Sequence, residues 1–386
     1  MDLDLTEEQH MLTETVRSFV DKEMLPYELE IEQKGEVPPE LGQRITEKAL
    51  ELGLYAANLP DSVGGGGLDY SSLAILEREY GKVSHALHGF AWRPTELLLA
   101  CTGDQIVRYL DPCVRAEKTE CFAITEPGAG SDIYSMTTKA VQKNGSWILN
   151  GSKHFISSHI LPDFAIVFAI TGIDQNNGKP RKRVSAFLVD RGTPGFDIQI
   201  GPRCVSQRAY HNYSLSFDDC SIGPEQMLGQ EGEGLDLADK WIKMGRVWVG
   251  AGCCGRAERL LDLSLDWAAN RKQFGQPIGR FQGTSFKIAD MATELQAADL
   301  LVMHAARKAD QGKMTPADAA MCKLYASEML HRLAENAVQI YGGMGLMEEF
   351  PIERLWRDSR LERIWEGTSE IQRHIISRSL LRPLGA

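Results

Sequence analysis

Several features that define common protein classes are missing from this chain of 386 residues. Its eight cysteines are scattered and no two form a Cys-x-x-Cys pair, so the sequence indicates neither a zinc site nor a disulfide framework. No apolar run approaches the length of a membrane span. Internal repeats and low-complexity tails are absent as well. These absences favour a globular enzyme of a reducing compartment that does not enter a membrane.

An excess of positive charge is also missing. The formal net charge is -11 and the pI is near 5.4, which argues against nucleic acid or an anionic membrane as the main ligand. The first eight residues are acidic and follow neither the signal-peptide nor the transit-peptide pattern, so we expect a cytoplasmic protein. The length exceeds a usual single core and predicts two or three subdomains.

Residues 1–120 follow helical periodicity. Thr6 and Gln9 form a capping box before the first helix. A helix is predicted from about Ser71 to Thr102; on it His85 and His88, three residues apart, share a face, with Trp92 one turn further. The glycine run at residues 64–67 lacks the Gly-Lys-Ser/Thr ending of a phosphate loop and is interpreted as a mobile or tightly turned loop.

Residues 121–232 change to short β-branched or alternating segments, which predicts an all-β region. Asn144-Gly145 is a strong two-residue hairpin signal. Residues 174–180 are predicted to form an exposed loop. The candidate strands are residues 122–125, 136–142, 146–149, 164–169, 184–189, 196–200 and 213–217.

Residues 233–386 carry long apolar stripes with short connections, which predicts a bundle of antiparallel helices. Residues 250–255, Gly-Ala-Gly-Cys-Cys-Gly, match the dinucleotide-binding fingerprint in letters. Both flanks are helical, however, whereas that fingerprint requires a strand before it. We therefore interpret these small residues as a site of close helix packing.

Three segments combine glycines, hydroxyls, aromatics or arginine in ways that suit a flat, partly anionic ligand. Residues 125–132 (Thr-Glu-Pro-Gly-Ala-Gly-Ser-Asp) follow a strand and can present backbone N–H groups. Residues 153–158 (Lys-His-Phe-Ile-Ser-Ser) place an aromatic ring beside hydroxyls. Residues 271–282 join two helices and carry Arg271, a potential bidentate partner for a diphosphate. Taken singly, the glycine segment could equally be an ordinary turn, and each of the other two would more often be a solvated cationic loop.

Two further segments lie near the C-terminus, at residues 341–345 (Tyr-Gly-Gly-Met-Gly) and 365–373 (Trp-Glu-Gly-Thr-Ser-Glu-Ile-Gln-Arg). Glu366 sits where a loop meets a helix, and Ser369 with Gln372 is predicted to cap that helix. A carboxylate at such a junction is a candidate general base. Without its context, Glu366 could also be a surface residue beside a capped helix.

Together these segments, with Gln339 and the Arg357-Asp358 pair, resemble the acyl-CoA dehydrogenase family in order and spacing over essentially the whole chain. The resemblance implies an α+β fold with a helical N-terminal domain (1–120), a central β-barrel-like domain (121–232) and a C-terminal four-helix bundle (233–386). It also implies FAD bound at a subunit interface, a homotetramer built as a dimer of dimers, an acyl-CoA substrate and an electron-transfer flavoprotein as partner.

By resemblance, Glu366 is the catalytic base of an α,β-dehydrogenation. Some relatives place the base at the position matching Gly245, which cannot serve here. Ser131, Arg246 and Gly367 would lie at the substrate. The implied cofactor contacts are Thr125, Ser131, Phe155, Ser157, Arg271, Phe274, Gln282, Gln339, Gly342, Gly343, Thr368 and Glu370.

The sequence also departs from the family pattern. Lys243 replaces a common acid, and residues 208–212 read Arg-Ala-Tyr-His-Asn where a Gly-x-x-Thr pattern is usual. His85 and His88 at the base of the acyl pocket favour a short, branched, cyclic or polar acyl group, with Arg93 as a partner for an acidic tail. In the alternative interpretation both histidines are core residues bonded to backbone carbonyls, and Arg93 caps a helix.

Other activities of the same fold stay open at this point. Relatives act as enoyl-CoA reductases, decarboxylate a dicarboxylic acyl group or remove a sulfinate, and the motifs do not separate these reactions. A non-catalytic or nucleic-acid-associated relative is a third class, but the intact Glu366 and the acidic balance count against it.

Overall fold

A computed structural model describes residues 5–91, 93–176 and 179–385. The N-terminal helices form because apolar residues at helical spacing meet in one core. The predicted capping box at the first helix is confirmed: Thr6 and Gln9 exchange two hydrogen bonds of 3.2 Å. The helices are α1 (Glu7–Glu23), α2 (Glu28–Lys34), α3 (Pro39–Glu51), α4 (Tyr70–Tyr80), α5 (His85–His88) and α6 (Asp111–Val114).

The single helix predicted from Ser71 to Thr102 is wrong. Helix α4 ends at Tyr80, and Ser84 then caps the separate short helix α5. The Ser84 N–H donates to the carboxylate of Glu28 (3.0 Å) instead of continuing a helical ladder. The chain continues through the 3-10 turns Gly89–Ala91 and Glu96–Ala100. His85 and His88 therefore belong to a four-residue helix, and Trp92 lies outside the described residues.

The glycine run is a tight turn. The N–H groups of Gly65, Gly66 and Gly67 donate to backbone carbonyls of residues 60, 56 and 59 at 2.9–3.1 Å. A side chain on Gly65 would lie 2.1 Å from the Leu59 carbonyl oxygen, so only glycine fits there. This packing leaves no open cradle for a phosphate.

The central strands form one eight-stranded sheet in the order β6-β7-β3-β2-β4-β5-β8, with β1 beside β4. All predicted strands are present, most of them longer than predicted. The strands are β1 (Glu120–Ala123), β2 (Lys139–Lys143), β3 (Ser146–Ser158), β4 (Phe164–Asn176), β5 (Lys179–Asp190), β6 (Phe196–Ile200), β7 (His211–Ile222) and the unpredicted β8 (Met227–Leu228).

Two turns of the sheet test the sequence interpretation. The Asn144-Gly145 hairpin is confirmed, with φ of 52° and 83° joining β2 to β3. The loop conformation predicted at residues 174–180 is wrong for the described residues, because β4 reaches Asn176, β5 begins at Lys179, and Asp174 pairs with Arg181. The predicted exposure is confirmed at residues 174, 175 and 180. Arg183 also binds Asp174, which adds an attractive pair to the extended hairpin. Residues 177–178 lie outside the described part of the chain.

Residues 164–170 of β4 and 184–189 of β5 are buried on both faces of the sheet. Ala165, Val167 and Phe187 point into a core enclosed by the sheet. Ile166 and Phe168, on the opposite face, pack against the N-terminal helices and the start of the first C-terminal helix. The β region is thereby fixed between the two helical regions.

The C-terminal region is a helical bundle, as predicted. Its helices are α7 (Gly234–Asn270), α8 (Gln282–Asp310), α9 (Pro316–Tyr341), α10 (Pro351–Glu362) and α11 (Ser369–Leu381), and β9 (Lys272–Gln273) pairs with β10 (Gln276–Pro277) in the α7–α8 connection. Residues 250–255 lie inside α7, which rules out the dinucleotide fingerprint and confirms close packing. A Cβ on Gly255 would lie 1.7 Å from the Arg78 carbonyl oxygen of α4, and one on Gly250 would lie 2.6 Å from Cys322 Sγ of α9.

No helix in the described ranges is both long enough and apolar enough to cross a membrane.

Candidate active site

Glu366 lies in the short loop between α10 and α11 and adopts the left-handed backbone conformation, with φ of 52°. Such a conformation is costly for a non-glycine residue and persists where the surroundings enforce it. The predicted cap at Ser369 is wrong by one residue. Thr368 is the N-cap, accepting from the Ile371 N–H at 3.3 Å. The Gln372 side chain instead donates to the carbonyls of Glu366 (3.2 Å) and Gly367 (2.8 Å).

The carboxylate of Glu366 lies directly against α7 at Gly245. A Cβ built on Gly245 would be 3.2 Å from Glu366 Oε2. The residue at the alternative base position is therefore the one that makes room for the base in this chain. Burial raises the pKa of Glu366, while the positive charges of Arg246, Lys323 and Arg93 act in the opposite direction.

The backbone N–H of Glu366 is available as a hydrogen-bond donor to a ligand. Among the described residues, no hydrogen bond uses the Glu366 N–H. Arg246, on the helix that carries Gly245, is buried and its Nε has no hydrogen-bond partner within the described chain. A partly buried carboxylate, a free backbone N–H and a guanidinium whose Nε lacks a partner thus converge at one place, which suits a polar ligand with an acidic hydrogen.

Sequence reasoning missed Lys323. It lies on α9, is fully buried and donates from Nζ to the Gly367 carbonyl oxygen at 2.9 Å. The signal was available, because Ala319, Ala326 and Leu330 mark a buried stripe at helical spacing that includes this lysine. A lysine on a core stripe is rare unless it has a defined partner.

His85 lies beside the Glu366 loop, with its ring 4.9 Å from that of Trp365 in an edge-to-face contact and 6.1 Å from that of Tyr210. Its Nε2 lies 3.8 Å from the carboxylate of Glu362. His88 lies deeper, with its ring 4.5 Å from that of Tyr80 at an interplanar angle of 34°, and the Nδ1 atoms of the two histidines are 3.4 Å apart. Burial lowers the pKa of both rings, so both are neutral near pH 7. His88 Nε2 also lies 3.9 Å from the carboxylate of Glu77.

Arg93 forms a buried ion pair with Glu77 of α4. Its guanidinium also lies 5.3 Å from the ring of Trp248 and 5.8 Å from that of Trp241. Burial lowers the pKa of Arg93 to about 10. The sequence interpretation did not identify Glu77, whose charge balances this arginine from within the protein.

The glycine turn and the aromatic segment lie side by side in the β region. The His154 N–H donates to the Thr125 carbonyl at 2.9 Å. Lys153, fully buried, donates to the carbonyl of Ile124 (3.1 Å) and to Glu126 (2.9 Å), which fixes the turn from beneath. Phe155 has φ of 55° and is 60% exposed. The strained backbone therefore presents an aromatic face to solvent beside the turn.

The same surface offers unused donors. Within the described ranges, the hydroxyls of Thr125 and Ser131 and the N–H groups of Gly128 and Gly130 take part in no hydrogen bond, and a Cβ on either glycine would meet nothing within 4 Å. Ser157 Oγ donates to Asn212 at 3.2 Å. An aromatic face next to free donors fits a flat, conjugated ring with polar edges.

A third group gathers around the α7–α8 connection. The rings of Trp267 and Tyr341 stack at 4.5 Å, and Arg271 lies 5.8 Å from the Trp267 ring. Phe274 has φ of 50° and is 92% exposed. No hydrogen bond, ion pair or ring contact in the described ranges joins these residues to the Glu366 loop. The remaining predicted cofactor contacts are all on the surface or partly exposed: Gln282, Gln339, Gly342, Gly343, Thr368 and Glu370.

Comparison with known proteins identifies the family. The acyl-CoA dehydrogenase N-terminal, middle and C-terminal domain models match residues 6–117, 121–220 and 232–381. An acyl-CoA dehydrogenase of Bacillus subtilis is 38% identical over 98% of this chain and 99% of its own length. A subunit of the caffeyl-CoA reductase–Etf complex of Acetobacterium woodii is 37% identical, with the same coverage of both chains.

A solved structure supports the same family assignment. Butyryl-CoA dehydrogenase of Megasphaera elsdenii superposes with a TM-score of 0.89 at 34% identity, covering 99% of this chain and 100% of its own. The agreement extends over all three regions of the fold. The chain therefore belongs to the acyl-CoA dehydrogenase family of FAD-dependent flavoproteins and is an oxidoreductase acting on acyl-CoA.

Proposed function

We propose that this protein interconverts a short or polar acyl-CoA and its 2,3-enoyl-CoA, with Glu366 as the residue that exchanges the α-proton. The observation that carries the proposal is the position of Glu366. Its carboxylate is partly buried against Gly245, its pKa is raised by burial, and its own N–H is left without an acceptor in the described chain.

The residues present fit FAD. Phe155 with its exposed face, the free hydroxyls of Thr125 and Ser131 and the open glycine turn suit the isoalloxazine ring and its edge. We assign Ser157 to the same ring. When bound, FAD supplies the hydride acceptor for the β-carbon of the acyl group.

Arg271, Phe274 and the glycines of residues 342–343 are exposed and have no contact with the Glu366 loop in the described chain. This supports their binding the FAD of a partner subunit, with Gln282 and Gln339 completing that surface. At least a homodimer follows from this assignment, because each site is then completed by a neighbouring protomer, and we propose the dimer of dimers that the family resemblance implies. We assign Thr368 and Glu370, which directly follow the Glu366 loop, to the adenosine part of FAD.

In the dehydrogenase direction, Glu366 removes the α-proton and its backbone N–H donates to the thioester carbonyl oxygen, where negative charge develops. Gly367 provides the left-handed turn, with φ of 92°, that lets the acyl-CoA approach the loop. Arg246 lies beside the carboxylate and stabilises its ionised form. Ser131, at the edge of the glycine turn, is assigned to the thioester.

The far end of the site is aromatic and polar. His85 is the proposed wall residue, with Tyr210 and Trp365 against it, and His88 supports His85 from the interior. These rings do not favour a long aliphatic chain and do favour a short, branched, cyclic or polar acyl group. An acidic acyl tail would compete with Glu77 for Arg93, so we place Arg93 at the base of the pocket rather than in direct contact.

The enoyl-CoA reductase direction is the second candidate. The relative from Acetobacterium woodii is named as part of a reductase–Etf complex, which supports both this direction and an electron-transfer flavoprotein as partner. In this direction the raised pKa of Glu366 helps it to carry the proton that the α-carbon receives.

Anaerobic mixing of the holoenzyme with a panel of saturated acyl-CoAs tests the direction by loss of the oxidised flavin absorbance. Bleaching by a short or polar acyl-CoA is the expected result. Absence of bleaching by every saturated acyl-CoA, together with reoxidation of the reduced enzyme by an enoyl-CoA, would assign the reductase direction. Glu366→Gln should keep FAD and lose at least about 100-fold in turnover, and retained turnover would refute the base assignment.

A further inference from the structure

Lys323 is the one fully buried lysine whose Nζ contacts the loop that carries Glu366, within the described chain. It projects from the middle of α9, and its Nζ is 2.9 Å from the Gly367 carbonyl oxygen. Within the described chain, Gln372 Nε2 also donates to that oxygen, at 2.8 Å. Two side chains from different helices therefore hold one peptide of the loop.

The two hydrogen bonds to the Gly367 carbonyl help to hold a loop whose backbone conformation is strained. Glu366 and Gly367 have φ of 52° and 92°, and the former is costly for a residue with a side chain. A strained conformation is kept only where the surroundings over-determine it. Gln372 lies on α11, directly after the loop, and can move with it. Lys323 lies on α9, a separate and buried helix, and ties the loop to the bundle core.

The ammonium group of Lys323 also lies close enough to Glu366 to interact with it electrostatically. The groups facing Lys323 are Glu362 of α10, Cys253 and Arg246 of α7, and Glu366 itself. Glu362 is already paired with Arg256. Burial lowers the pKa of Lys323, while Cys253, Glu362 and Glu366 act in the opposite direction and favour its protonated form. The protonated lysine adds a positive charge next to Glu366, alongside Arg246 and Arg93.

We propose that Lys323 is a positioning residue for the proton transfer: it clamps the Gly367 carbonyl, holds Glu366 in the left-handed conformation that points its carboxylate at Gly245, and favours the ionised base. The inference rests on the proposed role of Glu366. Lys323 acts through Glu366 and does not itself touch the substrate.

The test compares Lys323→Met with Lys323→Arg in the holoenzyme, using FAD content, KM, kcat and the pH profile of kcat/KM for acyl-CoA oxidation. Lys323→Met should keep FAD and change KM less than about 3-fold, while kcat falls about 10- to 100-fold, the range expected when a catalytic group is displaced by up to 1 Å. The acid limb of the profile should move to higher pH, because Glu366 loses a neighbouring cation. Lys323→Arg should recover part of both effects.

Lys308→Met is the matched control. Lys308 donates to Asp318 at the start of α9 (2.7 Å) and does not contact the loop, so its loss removes a lysine bond to the same helix and should leave kcat and the pH profile unchanged. If Lys323→Met does not fold, Lys323→Gln, which keeps a donor without the charge, takes its place and should still shift the acid limb.

Unchanged kcat and an unchanged acid limb in a folded, FAD-loaded Lys323 variant would overturn the inference. A drop in thermal stability and FAD content without any shift of the acid limb would also overturn it, since that is the signature of a purely structural lysine. Glu366→Gln measured alongside separates the two claims. If it is inactive while Lys323→Met is normal, only the role of Lys323 fails. If it is active, the proposed function fails first.

Discussion

Gly245 offers a direct test of the geometry around Glu366. A Cβ at this position would lie 3.2 Å from Glu366 Oε2, whereas ordinary contacts begin at 3.4 Å and extend to 4 Å. In Gly245→Ala the carboxylate must therefore retreat by a few tenths of an ångström, at least about 0.2 Å. Since a displacement of about 1 Å costs roughly 100-fold in rate, kcat should fall at least about 3-fold.

The same substitution should not harm the fold. Alanine is favoured over glycine in a helix interior by about 1 kcal/mol. Within the described chain, the atoms outside the local α7 backbone that come within 4 Å of the new methyl group all belong to Glu366. Gly252→Ala is a matched control on α7, because its Cβ would have no neighbour closer than 3.9 Å. It should give the same or higher melting temperature with unchanged kcat.

Steady-state kinetics with an electron acceptor, together with melting curves and FAD content, distinguish the outcomes. A loss of kcat in Gly245→Ala with retained stability and FAD would support the placement of the carboxylate. Equal kcat values for Gly245→Ala, Gly252→Ala and the wild type would refute it, because no catalytic carboxylate could then lie against Gly245.

Three further predictions concern the framework of the site. Glu28→Gln removes a buried carboxylate held by two arginines and should lower the free energy of unfolding by about 3 kcal/mol at pH 7. These arginines hold the pKa of Glu28 at about 2, so its contribution to the free energy of unfolding is present above its ordinary pKa and is lost as the pH falls toward 2. Denaturation curves of the variant and the wild type should therefore converge near pH 2. A difference in stability that stays constant with pH would contradict this. Lys153→Met should lower the free energy of unfolding by about 3–5 kcal/mol, because Glu126 is left buried without its cation, and should weaken FAD retention. Calorimetry and flavin absorbance check these two effects. The double variant Lys153→Met/Glu126→Gln should be less destabilised than Lys153→Met alone. Phe274→Ala should leave the melting of the FAD-free protein unchanged, since the ring is 92% exposed in one chain, but should speed FAD loss in gel filtration; equal retention would argue against its role at a partner's cofactor.

The sequence determined the order of the regions, because periodicity of 3.6 or 2 residues follows directly from which side chains must be buried. It also predicted the hairpin at Asn144-Gly145 and the helical nature of residues 250–255, since both depend on local backbone preferences and flanking pattern. Predictions of helix length from local sequence pattern failed where a tertiary contact ended the helix. The helix predicted to Thr102 breaks after Tyr80, where the Ser84 N–H turns to Glu28.

The family motifs likewise placed Glu366 in a loop. Only the tertiary structure shows that its carboxylate lies against Gly245 and that Lys323 donates a hydrogen bond to the loop. Those two residues are 121 and 43 positions before Glu366 in the chain, and no local pattern links them to it. The same holds for Glu77, which pairs with Arg93. Local periodicity specifies which residues are buried, whereas the partner of a buried charge depends on how helices cross, and this is decided only when the whole chain packs.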